Sequence, residues 1–124
     1  MRRPVVVLVI VLAVVGLFAG GLAWLLDTPP APAGASRAAR LYYGFCVPCH
    51  GVDGHGSWRA FLFLLRPGDL SDRVRMRQHS DEYLFDVVKY GGANFGRPGM
   101  PAFGYQLSDE EVKELVAYVR TRAR

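Results

Sequence analysis

The chain has only two cysteines, Cys46 and Cys49, and three histidines in 124 residues. That scarcity excludes several chemistries. A structural zinc site takes four ligands, normally from two cysteine pairs, and this single pair could be completed only by His55 and His79. No cysteine stands near the end of the N-terminal apolar run, so lipid attachment there, as in bacterial lipoproteins, is not available. No segment alternates convincingly enough to be a strand, so the parallel sheet expected around a thioredoxin-type redox pair is not readable. A disulfide between Cys46 and Cys49 would close a very small loop and stabilise little. There is no internal repeat. Charge of one sign is also scarce: Thr28 to Arg124 holds 13 Lys or Arg against 10 Asp or Glu, a formal balance of +3. That gives no footprint for nucleic acid, and Arg73, Arg75 and Arg77 read as a solvated basic loop.

What is present divides the chain. Val5 to Leu26 is 22 residues without a charge, rich in Val, Leu, Ala and Ile. At ~1.5 Å per residue such a helix reaches roughly 33 Å, enough to cross a hydrocarbon core of ~30 Å. Residues 1–27 are therefore expected to be an uncleaved transmembrane anchor. Arg2 and Arg3 precede the run, which places the N-terminus on the cytoplasmic side and the rest outside, with Trp24 at the outer interface. A cleaved secretory signal competes, because Ala31-Pro32-Ala33 offers the small residues a signal peptidase needs. Its usual apolar core of ~7–15 residues is shorter than this one.

Residues 28–35 read as a Pro/Ala-rich spacer, stiffened by its prolines toward an extended form. Residues 36–124 then form one domain of short helices. The first is expected from a Ser36 cap to Cys46, with Tyr42, Phe45, Cys46 and Cys49 on one face. Trp58 to Leu65 is an apolar stretch with no readable period, ended by Pro67-Gly68. A second helix fits Asp81 to Tyr90, with Ser80 as cap and Leu84, Val87 and Val88 as its stripe. The clearest is the last: Ser108-Asp109-Glu110-Glu111 is a capping box, followed by the stripe Val112, Leu115, Val116 and Val119, with Arg120, Arg122 and Arg124 placed to complement the helix dipole. So small and loop-rich a domain benefits from a covalent or metal staple that offers its helices a further surface to pack on.

The chemistry sits in Cys46-Val47-Pro48-Cys49-His50, the C-x-x-C-H pattern of covalent haem attachment. Two thiols three positions apart reach the two vinyl groups on one haem edge, and the next residue presents an imidazole to the iron. The candidates for a sixth ligand are Met76, Met100, His55 and His79. Met100 is favoured, because the loop Gly96-Arg97-Pro98-Gly99-Met100-Pro101 fixes a single sulfur. Met76, between Arg75 and Arg77, reads as partly exposed, and His55 stands too close to His50 in sequence to reach the opposite haem face easily. His79 remains the competitor.

These residues resemble a class I, mono-haem cytochrome c over nearly the whole exported domain. The resemblance is carried by Cys46-Val47-Pro48-Cys49-His50-Gly51, Asp53-Gly54-His55-Gly56, Met100-Pro101-Ala102-Phe103, and Leu107-Ser108-Asp109-Glu110-Glu111 opening a helix that contains Tyr118. It implies an all-α cytochrome c-like fold around one covalent haem c, with thioethers at Cys46 and Cys49 and with His50 and Met100 as axial iron ligands. It further implies that the Pro67 carbonyl holds the other nitrogen of His50, and that Tyr42 and Tyr118 join the first and last helices. Trp58 to Leu65 departs most from the pattern.

A His/Met pair leaves no open coordination position and stabilises ferrous iron, which describes a carrier and not an enzyme. The expected role is transfer of single electrons between redox protein partners, without a small-molecule substrate. The place is the periplasmic face of a bacterial inner membrane. The chain would act as a tethered carrier or as the haem subunit of a respiratory or photosynthetic complex. Gly16, Gly20 and Gly21 would permit close packing of another membrane helix but do not separate these two roles. A haem-based sensor or peroxidase-like enzyme would require a vacant or labile sixth position.

Overall fold

The computed structural model describes residues 2–123; Met1 and Arg124, the outer limits of two ranges given above, lie outside them. Among the described residues the secondary structure is all helical, with no strand. Helix α1 spans Arg2–Leu26 and buries none of its residues. It is long and apolar enough to cross a membrane, and its last turn meets the domain that follows through Trp24. The spacer is not simply extended. The Ala35 amide bonds the Pro32 carbonyl at 3.1 Å in a turn that places Gly34 at φ +76°.

The domain begins with α2, Arg37–Leu41, capped as expected by Ser36, whose hydroxyl accepts from the Ala39 amide at 3.1 Å. The helix does not end at Cys46. It widens into a π-helical segment, Tyr42–Cys46, and resumes as α3, Val47–His50. Pro48 supplies the reason. It has no amide to bond the Gly44 carbonyl, and its ring would clash with that carbonyl in a regular α-helix. The wider turn relieves the conflict and carries the helix to His50.

Three short helices follow: α4, Trp58–Leu62; α5, Arg73–Gln78; and α6, Asp81–Tyr90. The arginine stretch is thus a helix and not a loop. Asp72 caps α5 by accepting from the Val74 and Arg75 amides at 3.0 and 3.1 Å. Ser80 caps α6 through the Tyr83 amide at 3.1 Å. The last helix, α7, Asp109–Arg120, carries the full capping box, with Ser108 and Glu111 bonding each other's backbone.

The core lies where the N-terminal helical stretch, α6 and α7 meet. Val112, Leu115, Val116 and Val119 of α7 pack with Tyr42, Cys46, Val47, Met76 and Val88. Arg37 grips Glu114 with two bonds, at 2.6 and 2.9 Å, and Lys89 pairs with Asp109 at 2.7 Å. These exposed pairs set the register of the helices more than they stabilise it. Arg120 does something the sequence did not suggest. Instead of only complementing its own helix, it bonds Asp81 at 2.8 Å and donates to the Met76 and His79 carbonyls, holding the end of α5 to the start of α6.

Tyr42 is fully buried, packs on Tyr118 with ring centroids 5.4 Å apart, and donates its hydroxyl to the Gly51 carbonyl at 2.8 Å. Tyr42→Ala is expected to cost about 3–5 kcal/mol of stability, as for other large aromatic truncations. Tyr42→Phe should cost only about 0.5–1.5 kcal/mol, the worth of one hydrogen bond. Guanidinium unfolding of the two variants against the parent checks both.

Candidate functional site

The C-x-x-C-H segment lies on the π turn and α3. Cys46 and Val47 face the core, while Cys49 and His50 are half-buried. Gly51 ends the helix at φ +73°, and a Cβ there would stand 2.9 Å from the Gly56 oxygen. The chain can therefore fold back tightly: the Gly56 amide bonds the His50 carbonyl and the Ser57 amide bonds the Cys49 carbonyl, both at 2.8 Å. This loop satisfies the carbonyls at the end of α3 and fixes the direction of the histidine.

Burial pushes the Cys46 thiol up to about 12 and also raises the Cys49 thiol. Both sulfurs are thus protonated near neutral pH and are weak nucleophiles as free thiols, unlike the pair of a redox enzyme. For His50, burial lowers the pKa most, the bond to the backbone raises it, and nearby Arg97 lowers it further. The ring is therefore neutral. Its Nδ1 stands 3.0 Å from the Gly68 carbonyl, so that nitrogen carries the proton and Nε2 is left with a free lone pair.

The expected partner, the Pro67 carbonyl, is not the one used. The Arg66-Pro67-Gly68 turn brings forward the next carbonyl, and Pro67 contributes its ring to the wall of a cavity. That cavity, of about 570 Å³, lies within the range of cofactor sites. It is lined by Cys46, Cys49, His50, Met100, Phe45, Leu65, Pro67, Val87, Val88, Phe103, Val116 and Val119, with Arg66, Arg75 and Arg97 also on its walls.

Met100 is held by the end of α6. The Gly92 amide bonds the Met100 carbonyl at 2.9 Å, the Arg97 amide bonds the Gly92 carbonyl at 2.8 Å, and the Phe103 amide bonds Val88 at 3.0 Å. The two halves of the site, some fifty residues apart in the chain, are thus brought to one cavity by backbone bonds.

Met76 is not partly exposed, as its arginine neighbours suggest. It is buried and lines the cavity, because α5 turns Met76 inward and leaves Val74, Arg73 and Arg77 on the outside, with Arg75 at the cavity wall. His79 also lines the cavity, its ring stacked on Tyr83 with centroids 4.4 Å apart. His55 is absent from the lining residues and instead meets Ser71 at 2.7 Å on the surface. Among the described residues no three His, Cys, Asp or Glu side chains cluster as metal ligands, so the zinc alternative lacks its donor set. Two thiols and the neutral imidazole of His50, with Met100, Met76 and His79 on the walls of the same mostly apolar cavity, are instead donors that a covalent haem uses.

Residues 33–119 match the family described as cytochrome c oxidase, cbb3-type, subunit III. The chain belongs to this family. It is similar to the cbb3-type cytochrome c oxidase subunit FixP of Rhizobium etli, 27% identical over 97 residues, covering 77% of this chain and 31% of that protein. It is also similar to the gluconate 2-dehydrogenase cytochrome c subunit of Pantoea cypripedii, 29% identical over 92 residues, covering 69% of this chain and 20% of that one. The chain thus spans less than a third of the length of these curated relatives. Among solved structures it resembles the KustC0563 c-type cytochrome, with a TM-score of 0.57 and 31% identity, over 68% of this chain and 94% of the other. A cytochrome c domain of the cbb3-type subunit III family carries covalent haem c and transfers electrons, and the all-helical fold agrees with this.

The Met100 loop offers a direct check on the geometry. A methyl group added at Gly92 would collide with the Arg97 carbonyl and stand 3.0 Å from the Met100 Cβ. Gly92→Ala is expected to destabilise the domain by about 1–3 kcal/mol, the usual cost of overpacking. Gly44→Ala, where nothing lies within 4 Å, should be neutral or stabilising by up to about 1 kcal/mol. Denaturant midpoints of the two variants measure the difference.

Proposed function

We propose that this chain is a mono-haem c-type cytochrome, anchored by α1, that passes single electrons between redox proteins at the periplasmic face of a bacterial inner membrane. In this reading residues 1–27 are the anchor, 28–35 the linker and 36–124 the haem domain. Cys46 and Cys49 would hold the haem as thioethers, and His50 and Met100 would bind its iron. The observation that carries the proposal is the convergence of these four side chains on one cavity, with Nδ1 of His50 already committed to a backbone carbonyl.

When bound, the haem supplies a one-electron ferric/ferrous couple. The chain supplies the rest. The Gly68 carbonyl orients His50 and keeps Nε2 available, and the soft sulfur of Met100 favours the ferrous state. Val87, Val88, Phe103, Val116 and Val119 lower the local dielectric, while Arg66, Arg75 and Arg97 provide cations for the propionates. Such a site moves electrons and needs no substrate.

Of the two roles open to it, haem subunit of a larger oxidoreductase is supported by the relatives, since both curated ones bear the names of such subunits. The orientation is supported by Arg2 and Arg3 before the apolar run.

The test is a pyridine haemochrome assay on membranes, with a reduced-minus-oxidised spectrum. One covalent haem per chain is expected, and its complete loss in Cys46→Ala/Cys49→Ala. Met100→Ala should lower the reduction potential and remove the weak sulfur-to-iron band of the oxidised form. No covalent haem in the parent would overturn the proposal. If the sulfur-to-iron band persists in Met100→Ala, the sixth ligand is Met76, which lines the same cavity. If the parent lacks that band and Met100→Ala changes nothing, the sixth position belongs to His79 or is open, and an open position is the sensor or enzyme reading.

A further inference from the structure

The segment from Trp58 to Leu64 is apolar yet turned to the outside. Trp58, Phe61, Leu62, Phe63 and Leu64 are each between 52 and 89% exposed, whereas Ala60 between them is buried and pins α4 to the domain. Leu64 holds φ at +58°, the one positive value at a non-glycine residue among the described residues. A branched, bulky side chain rarely takes that conformation, and here it belongs to the most exposed residue of the patch. A patch of this kind calls for an occupant.

Its position says which. The ring of Trp58 lies 5.7 Å from that of Trp24, in the last turn of α1. Arg59 donates from Nη2 to the Trp24 carbonyl at 3.3 Å, one of the carbonyls that the end of a helix leaves without an intrahelical partner. The patch is therefore continuous with the end of the apolar helix. Its charge also fits. From Gly54 to Gly68 there is no acidic residue, and Arg59 and Arg66 flank the apolar group. Aromatic and leucine side chains beside arginines are the composition that settles at the boundary between headgroups and acyl chains.

We propose that α4 and the turn after it, residues 58–65, rest in the outer interface of the bilayer that α1 crosses, as a second and shallow point of membrane attachment. Two attachment points fix the tilt of the domain. Leu64 and Leu65 also line the cavity, so this rim is held toward the membrane plane and the haem is presented to partners embedded there. The inference rests on α1 being a membrane helix.

The test uses full-length holoprotein in vesicles of phosphatidylcholine with a minor fraction of phosphatidylglycerol and a trace of phosphatidylcholine bearing a diazirine high on its acyl chain. After illumination, lipid adducts are mapped by peptide mass spectrometry. Adducts are expected on α1 and on residues 58–65, and none around the exposed Tyr105. The triple variant Phe61→Ser/Leu62→Ser/Phe63→Ser, which leaves the cavity-lining Leu64 and Leu65 in place, should lose adducts at 58–65 by about tenfold or more, since it removes the inserted surface, with α1 adducts and haem spectrum unchanged. Adducts on α1 with none on 58–65 would overturn the proposal; slower electron transfer by the triple variant would in that case give the patch to a protein partner. No adducts anywhere would overturn the anchor itself, a result distinct from the previous one.

Discussion

Tyr42 is the contact on which the rest of the domain depends. Its ring lies against Tyr118 of α7 and its hydroxyl closes on the Gly51 carbonyl, so one fully buried side chain ties the first helix, the last helix and the end of the C-x-x-C-H segment. A phenol withdrawn this far from water must keep its hydroxyl bonded and its charge suppressed. Burial accordingly raises its pKa more than any neighbouring charge does. The direction in which Cys46, Cys49 and His50 point follows from this crossing. The π turn that begins at Tyr42 sets how far the helix rotates before Cys49 and His50 appear, and Pro48 is what makes that turn necessary.

Much of this was legible before any coordinates, for reasons particular to each element. Ser36, Ser80 and Ser108 each announce a helix start because a side-chain oxygen meets a local need of the backbone, whatever the tertiary fold. The stripe on α7 is legible because twelve residues give the helical period room to repeat. Helix α5 was not, since six residues with three arginines place a single apolar side chain inward and no period can show. The same shortness hid the burial of Met76. The choice of Gly68 over Pro67 as partner of His50 turns on the course of a loop, which residue types alone do not specify.

The exposed stretch after Ser57 was illegible for another reason. Sequence rules assign large apolar residues to the inside of a domain, and Trp58, Phe61, Leu62, Phe63 and Leu64 lie on its outside. In the proposed reading their environment is set by the membrane where α1 ends, a relation that appears only when Trp58 and Arg59 are seen beside Trp24.

The two halves of the site differ in how they are held, and the difference bears on what the site can do. On one side, His50 is fixed from both ends, by the loop bonding back to Cys49 and His50 and by the Gly68 carbonyl on its ring. On the other, Met100 hangs from the C-terminal end of α6 by backbone bonds at Gly92 and Arg97, with Gly91 at φ +82° allowing the chain to pass close by. The imidazole is thus locked by side-chain and backbone bonds together, whereas the methionine is placed by its backbone and has a flexible thioether at the end. In the proposed reading, with Met100 as a ligand, changes of potential are therefore more accessible on the Met100 side, where small shifts of α6 against α7 would move the sulfur. Lys89 with Asp109 and Arg120 with Asp81 restrain that movement. They sit at opposite ends of the α6 and α7 pair, so sliding the two helices breaks one of them, and in the proposed reading this keeps the sulfur in place as the electron comes and goes.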